Sequence, residues 1–365
     1  MPGPPVASAA AAGGARTLAG VYRHFGEVDA AETSPLYRRV AVALSESEGA
    51  LHAIGAAPAR RRQPALILAA LHDLALAGRA PELAAAYTAA DADAAAGAAI
   101  DTLLRMTGAV AAIAGRRRTR TIEAARCAVL HPAIAEAARR VSARTVGLID
   151  ISGSAGFNLL ADRVGITYSN GQSLGDPGSP VQLSASVVGH RAIPARPMPE
   201  VVARIGVDLD PVDVTDPDDA RWLRACLWPD QRERSAILET ELALAALHPP
   251  LLLRGDALAE LPDAIARVPA DALPVVITTW ALSHLPLESR LRFLHGLQEA
   301  AAGRAVGWVS VEGVGVAPAI PTLGDRPASG HSIIGVAVCD RARLTAEAVG
   351  RCWSRGRLLA WLADD

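Results

Sequence analysis

Carboxylates follow the apolar run Val201–Val207 at close spacing, as Asp208, Asp210 and Asp213. Such a run predicts a buried strand, so these acids lie where that strand ends. A carboxylate there can accept hydrogen bonds from two ribose hydroxyls, or hold an amine as its cation and then accept a proton from it. We therefore take Asp208 and Asp210 as candidate catalytic residues, and Asp208 also as a candidate for cofactor binding.

A second group of candidates follows the apolar run 145–151, in which Asp150 lies. Small residues turn the chain after that run, and residues 157–163 continue at helical spacing. This predicts a strand that leads through a tight turn into a helix, and such turns form ligand sites at the carboxyl edge of open α/β sheets. The candidate cofactor-binding residues of this group are Asp150, Ser152, Gly153, Ser154, Gly156 and Asn158.

Further candidates are spread along the chain. Asp256 follows the run 250–254 and is a cofactor-binding candidate, whereas His284 and Glu123 are further candidate acids or bases. The substrate candidates are Arg126, Trp228 and Trp280. Structural alternatives remain for several of them: His284 can cap a helix, Trp228 can pack at a helix start, and Glu123 can pair with Arg126 three residues along one helix face.

Two regions of different composition have to position these residues. Residues 17–143 are rich in alanine and leucine and predict a helical N-terminal region, preceded by a disordered tail over 1–16. From 144 to 365, helical stretches alternate with seven short aliphatic runs: 145–151, 201–207, 250–254, 274–279, 304–311, 332–338 and 357–362. That alternation predicts a mostly parallel, seven-stranded sheet with helices on both faces. Residues 165–200 are rich in Gly, Ser and Pro and are expected to form an inserted hairpin or lid over the carboxyl edge.

Composition excludes several kinds of function. The net charge of −2 argues against a nucleic-acid surface, and the longest apolar stretch, 64–78, is too short to span a bilayer. All 36 residues counted as lysine or arginine are arginine, which excludes a pyridoxal phosphate Schiff base and a lysine general base. The cysteines form no C-x-x-C pair and the histidines no H-x-x-x-H spacing, so we expect no metal site and a cytoplasmic protein.

The strand ends resemble those of class I S-adenosylmethionine-dependent methyltransferases. That family carries an acid, an apolar residue and a Gly-x-Gly-x-Gly turn, which Asp150 and Gly156 match, whereas Ser152 and Ser154 replace glycines. The resemblance covers roughly residues 144–312. It implies that Asp208 and Asp256 contact the cofactor and that Trp280 and His284 lie on the substrate side.

The chain is also similar, over nearly its whole length, to the bacterial family known as domain of unknown function 2332. The matching stretches are Ser34–Tyr37, Arg62–Pro64, His72–Leu74, Arg118–Cys127, Ser154–Leu160, Gly175–Pro180 and Trp228–Gln231. This resemblance implies a helical region joined to a methyltransferase-like sheet. The family is expected to carry Gln and Asn where this chain has Arg120 and Ile122, which indicates a specialised member.

Four functions compete on these observations. The first, and the one we expect, is methyl transfer from S-adenosylmethionine to a small molecule by a tailoring enzyme on a methyltransferase-like scaffold; the other three are alternatives. The second keeps the fold without the cofactor: an amine held by carboxylates displaces an internal sulfate or phosphate and closes a small ring, such as an aziridine. The third is acyl hydrolysis by Ser154 with Asp256 and His284 or His331, but the helical sequence before the turn does not fit that fold. The fourth is a non-catalytic subunit, or a homodimer, that pairs through the N-terminal helices.

Overall fold

The computed structural model describes residues 17–120 and 124–363. These residues divide into two compact units, the first of residues 17–120 and 216–239 and the second of residues 124–215 and 240–363. The helical unit thus comprises the described chain up to residue 120 together with residues 216–239. The expected tail, 1–16, lies outside the described residues.

The described residues form twelve α-helices. In chain order they are α1 Leu18–His24, α2 Pro35–Glu46, α3 Glu48–Ile54, α4 Pro64–Leu76, α5 Pro81–Ala89, α6 Ala92–Arg105, α7 Thr107–Arg116, α8 Cys127–Arg140, α9 Pro217–Cys226, α10 Arg232–Leu247, α11 Ala257–Ala266 and α12 Leu287–Ala300. Local sequence explains several starts: Ser34 accepts the backbone N–H of Tyr37 ahead of Pro35, and Asp216 accepts those of Asp218 and Asp219. The helical prediction for the N-terminal region is thus confirmed.

The helical unit is built around α4, whose residues from Leu66 to Ala75 are all buried. Helices α1 to α7 and α9 supply the rest of this core, including Tyr22, Tyr37 and Trp222. Within the described parts of the chain, no single helix has the length and apolar character to cross a membrane; the pair α6 and α7 reaches both only together, across an 89° bend.

The second unit contains one sheet of eleven strands. They are β1 Thr145–Ile151, β2 Gly165–Tyr168, β3 Ser173–Gly175, β4 Gln182–Val187, β5 Glu200–Asp208, β6 Leu251–Arg254, β7 Leu273–Thr279, β8 Val306–Gly313, β9 Ser332–Asp340, β10 Arg343–Trp353 and β11 Leu358–Trp361. Their order is β3-β2-β4-β11-β10-β9-β8-β7-β1-β5-β6. Six of the ten neighbouring pairs are parallel, so the sheet is mostly parallel, as expected.

Two expectations are corrected by this sheet. The number of strands is eleven and not seven, because β10 and the three short strands β2 to β4 also pair. The expected hairpin or lid, 165–200, does contain an antiparallel hairpin, formed by β2 and β3. Together with β4, which pairs parallel with both β2 and β11, this hairpin extends the sheet beyond β11 and does not form a separate lid. The backbone N–H and C=O groups of these Gly- and Ser-containing segments need hydrogen-bond partners, and they find them by pairing inside the sheet.

The parallel strands β6-β5-β1-β7-β8 have the order of a doubly wound sheet. In chain order their positions are third, second, first, fourth and fifth, so the direction of winding changes between β1 and β7. Helices cover both faces: in β8, Gly307 lies against Ala137 of α8, whereas the neighbouring Trp308 packs edge-on against Phe293 of α12. A doubly wound sheet binds ligands beyond the carboxyl ends of its strands at this change of direction, so β1 and β7 locate the candidate site.

Candidate active site at the carboxyl ends of β1 and β7

The turn after β1 has the backbone conformation of a glycine turn. Ser152, Ser154 and Gly156 have φ of 60°, 52° and 74°, all in the left-handed region. The two serines thus adopt a conformation that costs a non-glycine residue about 1–2 kcal/mol. The helix that follows is a single 3₁₀ turn, Phe157–Leu160, and not the α-helix expected. Because a helix this short has little dipole, it adds little to the binding of an anion.

Gly153 is required by the carboxyl group beneath it. A Cβ on residue 153 would overlap Oδ2 and Cγ of Asp150. The absence of a side chain lets the turn fold back over Asp150, which is completely buried. The Asp150 carboxyl therefore lies beneath the turn, where solvent does not reach it, and supports the turn from below.

A buried polar network joins β1 to β7 through this acid. The Asn158 amide Nδ2 donates to both Asp150 oxygens, at 3.1 and 3.3 Å, and approaches the Thr279 hydroxyl at 3.2 Å. Arg126, just before α8, donates from Nη1 to the same hydroxyl at 2.9 Å and stacks over the Trp280 ring with 4.8 Å between guanidinium and centroid. The structure thus brings four of the predicted residues together at the edge between β1 and β7.

The charge state of Asp150 follows from its burial. Desolvation raises the pKa of this carboxyl to about 7, against the opposing effects of Arg126 and of the hydrogen bond from Asn158, while Asp208 raises it further. Arg126 and Asp208 therefore both act electrostatically on Asp150. The edge carries a cationic and an anionic side chain next to one buried carboxyl.

Asp208, at the end of β5, ties its own loop to the turn after β1. Its Oδ2 accepts the backbone N–H of Ser154 at 3.1 Å and its Oδ1 that of Asp210 at 2.8 Å. Two backbone bonds reinforce the link, from Val212 N to Ser154 O and from Ser152 N to Val207 O. Asp208 therefore fixes the loop after β5 against the turn after β1.

The remaining predicted residues of this edge lie further out. Asp210 forms an ion pair with Arg254 at 3.1 Å. Asp256 is exposed and caps α11 by accepting the N–H groups of Leu258 and Ala259. His284 is exposed and ends a 3₁₀ turn after β7.

Two residues that hold the site do not stand out in the sequence. Thr279 is described above, and Glu312, at the end of β8, accepts the backbone N–H groups of Ala281 and Leu282 at 2.9 and 3.0 Å. Burial raises the pKa of Glu312 to about 7, partly offset by these N–H donors. Both residues end apolar runs at the carboxyl edge, and that position is the signal that could have found them.

One candidate, Trp228, is not part of this edge, and another, Glu123, is not among the described residues, so the structure places it neither in the edge nor outside it. Trp228 belongs to the helical unit, where its ring packs against Phe25 and Tyr37 at centroid distances of 6.0 and 5.7 Å. Among the residues that are described, no group of three or more His, Cys, Asp or Glu side chains is arranged to hold a metal ion.

The fold and this edge define a mixed α/β protein whose doubly wound strands end in a polar, charged carboxyl edge. A family model described as "uncharacterized protein conserved in bacteria (DUF2332)" matches residues 19–361, and the chain belongs to that family. The family resemblance in the sequence motifs is thereby confirmed. Neither a curated protein nor a solved structure matches the chain.

Proposed function

We propose that the chain is a small-molecule tailoring enzyme that closes a small ring by intramolecular displacement, without S-adenosylmethionine. The observation that supports this most is the placement of opposite charges: Arg126 and Asp208 both act on the buried Asp150 where the winding of the sheet changes direction. A substrate with an ammonium group at one end and a sulfate or phosphate ester at the other matches this pair of charges.

The proposed step needs only these two groups and alignment. The Asp208 carboxylate holds the ammonium and accepts one proton from it. The nitrogen lone pair then forms a C–N bond as the neighbouring C–O bond breaks, and the bonding electrons leave with the sulfate or phosphate, next to the Arg126 guanidinium. The ring nitrogen releases its second proton to solvent. Holding the reacting ends in line supplies much of the rate enhancement in such a step.

Methyl transfer from S-adenosylmethionine is the second candidate. It is favoured by the doubly wound strand order and by the left-handed φ of Ser152, Ser154 and Gly156, which supply the backbone of a glycine turn. One of the acids fits the cofactor less well. Asp256, which was expected to contact the cofactor, instead caps α11. We therefore derive no step through this cofactor.

The test combines calorimetry with a turnover assay. We expect no micromolar binding of S-adenosylmethionine or S-adenosylhomocysteine, and release of inorganic sulfate or phosphate from 2-aminoalkyl sulfates or phosphates, in proportion to the cyclic amine seen by NMR. Micromolar cofactor binding that is lost in Asp208→Asn would replace this proposal with methyl transfer. Failure of both assays, with a stoichiometric protein co-purifying, would favour a non-catalytic subunit.

The variants separate chemistry from stability. Asp208→Asn keeps one carbonyl acceptor for the loop but cannot accept a proton, so turnover should fall about a hundredfold or more. Asp256→Asn is the matched control, because this acid of the same edge caps a helix and asparagine caps equally well. Equal turnover in Asp208→Asn and the wild type would rule out Asp208 as the base.

A further inference from the structure

The helical unit contains a cavity that the proposed chemistry does not use. Its volume is about 220 Å³, and its walls come from α4, α5, α9 and the start of α10. Half of its twelve lining residues are aliphatic or proline: Ala75, Leu76, Ala84, Leu227, Pro229 and Leu238. An apolar cavity of about 150 Å³ holds a benzene molecule, so this cavity has room for one substituted six-membered ring.

One polar group on the wall has a defined hydrogen-bonding role. The Nδ1 atom of His72 lies 3.1 Å from the carbonyl oxygen of Leu227 and 3.3 Å from that of Ala225, and since carbonyls only accept, Nδ1 carries the proton. Burial lowers the pKa of His72 to about 4, so the ring is neutral at neutral pH. The nitrogen left for a ligand is Nε2, and in this tautomer it is an acceptor.

A second buried polar group lies in the same wall. Tyr87 lines the cavity, and its ring packs edge-on against His72 with centroids 5.4 Å apart. The Tyr87 hydroxyl is buried and has no hydrogen-bond partner among the described residues. A buried hydroxyl without a partner is costly to the folded protein and is one of the signs of a group kept for a ligand.

The rim of the cavity carries no net charge. Arg224 and Glu239 both line it and form a bidentate pair, with N–O distances of 2.6 and 2.7 Å. Because these opposite charges neutralise each other, the rim gives no electrostatic advantage to an ion. The chemistry of the wall therefore favours an uncharged ligand.

From this geometry we propose that the cavity between α4, α5 and α9 is a binding site for an uncharged, ring-sized molecule that carries one hydroxyl or N–H donor. The donor hydrogen-bonds to Nε2 of His72 while the ring lies against the aliphatic wall. The proposal does not depend on the reaction proposed for the sheet, since every residue in it belongs to the helical unit.

The test uses the full-length chain with phenol and toluene as probes, which have similar size but differ in the donor. Titration calorimetry should give saturable binding of phenol. In His72→Phe the ratio of phenol to toluene affinity should fall about three- to tenfold, the worth of one hydrogen bond. In the wild type, phenol should shift the Nε2 resonance of His72 in NMR spectra, and toluene should leave it in place. This second measurement decides the point if His72→Phe does not fold.

A pair of substitutions on α5 locates the site. Ala84→Leu fills the cavity and should abolish binding of both probes, whereas Ala85→Leu, on an exposed position of the same helix, should leave it unchanged. Absence of phenol binding, binding that survives Ala84→Leu, or an unmoved Nε2 resonance would each overturn the proposal.

Discussion

Ser154 is the residue of the site whose backbone conformation and side-chain surroundings are least favourable for a serine. Its φ of 52° is a glycine conformation, and its hydroxyl is buried without a partner among the described residues. Ser154→Gly should therefore raise the free energy of unfolding by about 1 kcal/mol, because relief of the backbone and of the buried hydroxyl outweighs the added entropy of the unfolded chain. Urea unfolding measures this difference.

The neighbouring Ser152 provides the control. It has the same left-handed backbone, with φ of 60°, but its side chain is exposed. Ser152→Gly should raise the free energy of unfolding by less than Ser154→Gly does, because it relieves only the backbone strain. A larger gain at Ser152 would show that the buried hydroxyl of Ser154 is not a source of strain.

Gly153 fixes the same turn from beneath. A Cβ at this position would overlap the Asp150 carboxyl, so Gly153→Ala should lower the free energy of unfolding by about 1–3 kcal/mol, as overpacking does in other cores. The same denaturation experiment tests this, with Gly108→Ala as a control where a Cβ meets nothing within 4 Å. An equal effect at both positions would contradict the close packing of the turn on Asp150.

At the scale of elements, Asp256 shows how a predicted site residue can belong to a helix instead. Its carboxylate accepts the N–H groups of Leu258 and Ala259 at 3.0 and 3.3 Å at the start of α11. Asp256→Ala should lower the free energy of unfolding by about 1 kcal/mol, and Asp256→Asn by much less, because asparagine also caps. Equal stability of the alanine variant and the wild type would show that the cap contributes nothing.

The sequence predicted those strands whose burial leaves a simple pattern. Each of the seven aliphatic runs overlaps a strand of the sheet. Strands buried on both faces read as continuous apolar stretches, and the edge strand β6 is aliphatic although it is partly exposed. β10 was missed because its first half alternates polar and apolar residues and is partly exposed. β2 to β4 were missed because three to six residues with Gly and Ser give too short a signal.

At the scale of the molecule, the site is only partly readable from sequence. Asp150 lies near the end of an apolar run, and Asn158 and Trp280 come after such runs, so all three could be placed near a strand end. The hydrogen bond from Arg126 to Thr279 spans 153 residues, so no local spacing could indicate it, and it depends on the order of strands in the sheet. The sequence could therefore identify single residues of the network but not the hydrogen bonds between them.

His72 and Asp150, one in each unit, should contribute to the pH dependence of stability in opposite directions. His72, in the helical unit, has a pKa lowered by burial to about 4, so between that value and its ordinary value of about 6.5 the unfolded chain binds more protons. Its contribution to stability is present at neutral pH and is lost as pH falls through about 4. Asp150, in the sheet unit, has a pKa raised to about 7, so the folded chain binds more protons between about 4 and 7. Its contribution is complete at low pH and is lost as pH rises through about 7.

Single variants make these opposing slopes visible in the whole protein. Over pH 4–7, the slope of the free energy of unfolding against pH should be more positive in Asp150→Asn than in the wild type, because a contribution that falls with pH has been removed. The same slope should be less positive in His72→Phe than in the wild type, because a contribution that rises with pH has been removed. Urea unfolding at several pH values measures both slopes. The two slopes moving in the same direction would contradict the opposite pKa shifts, because each shift comes from the same cause, burial, acting on an acid in one unit and on a base in the other.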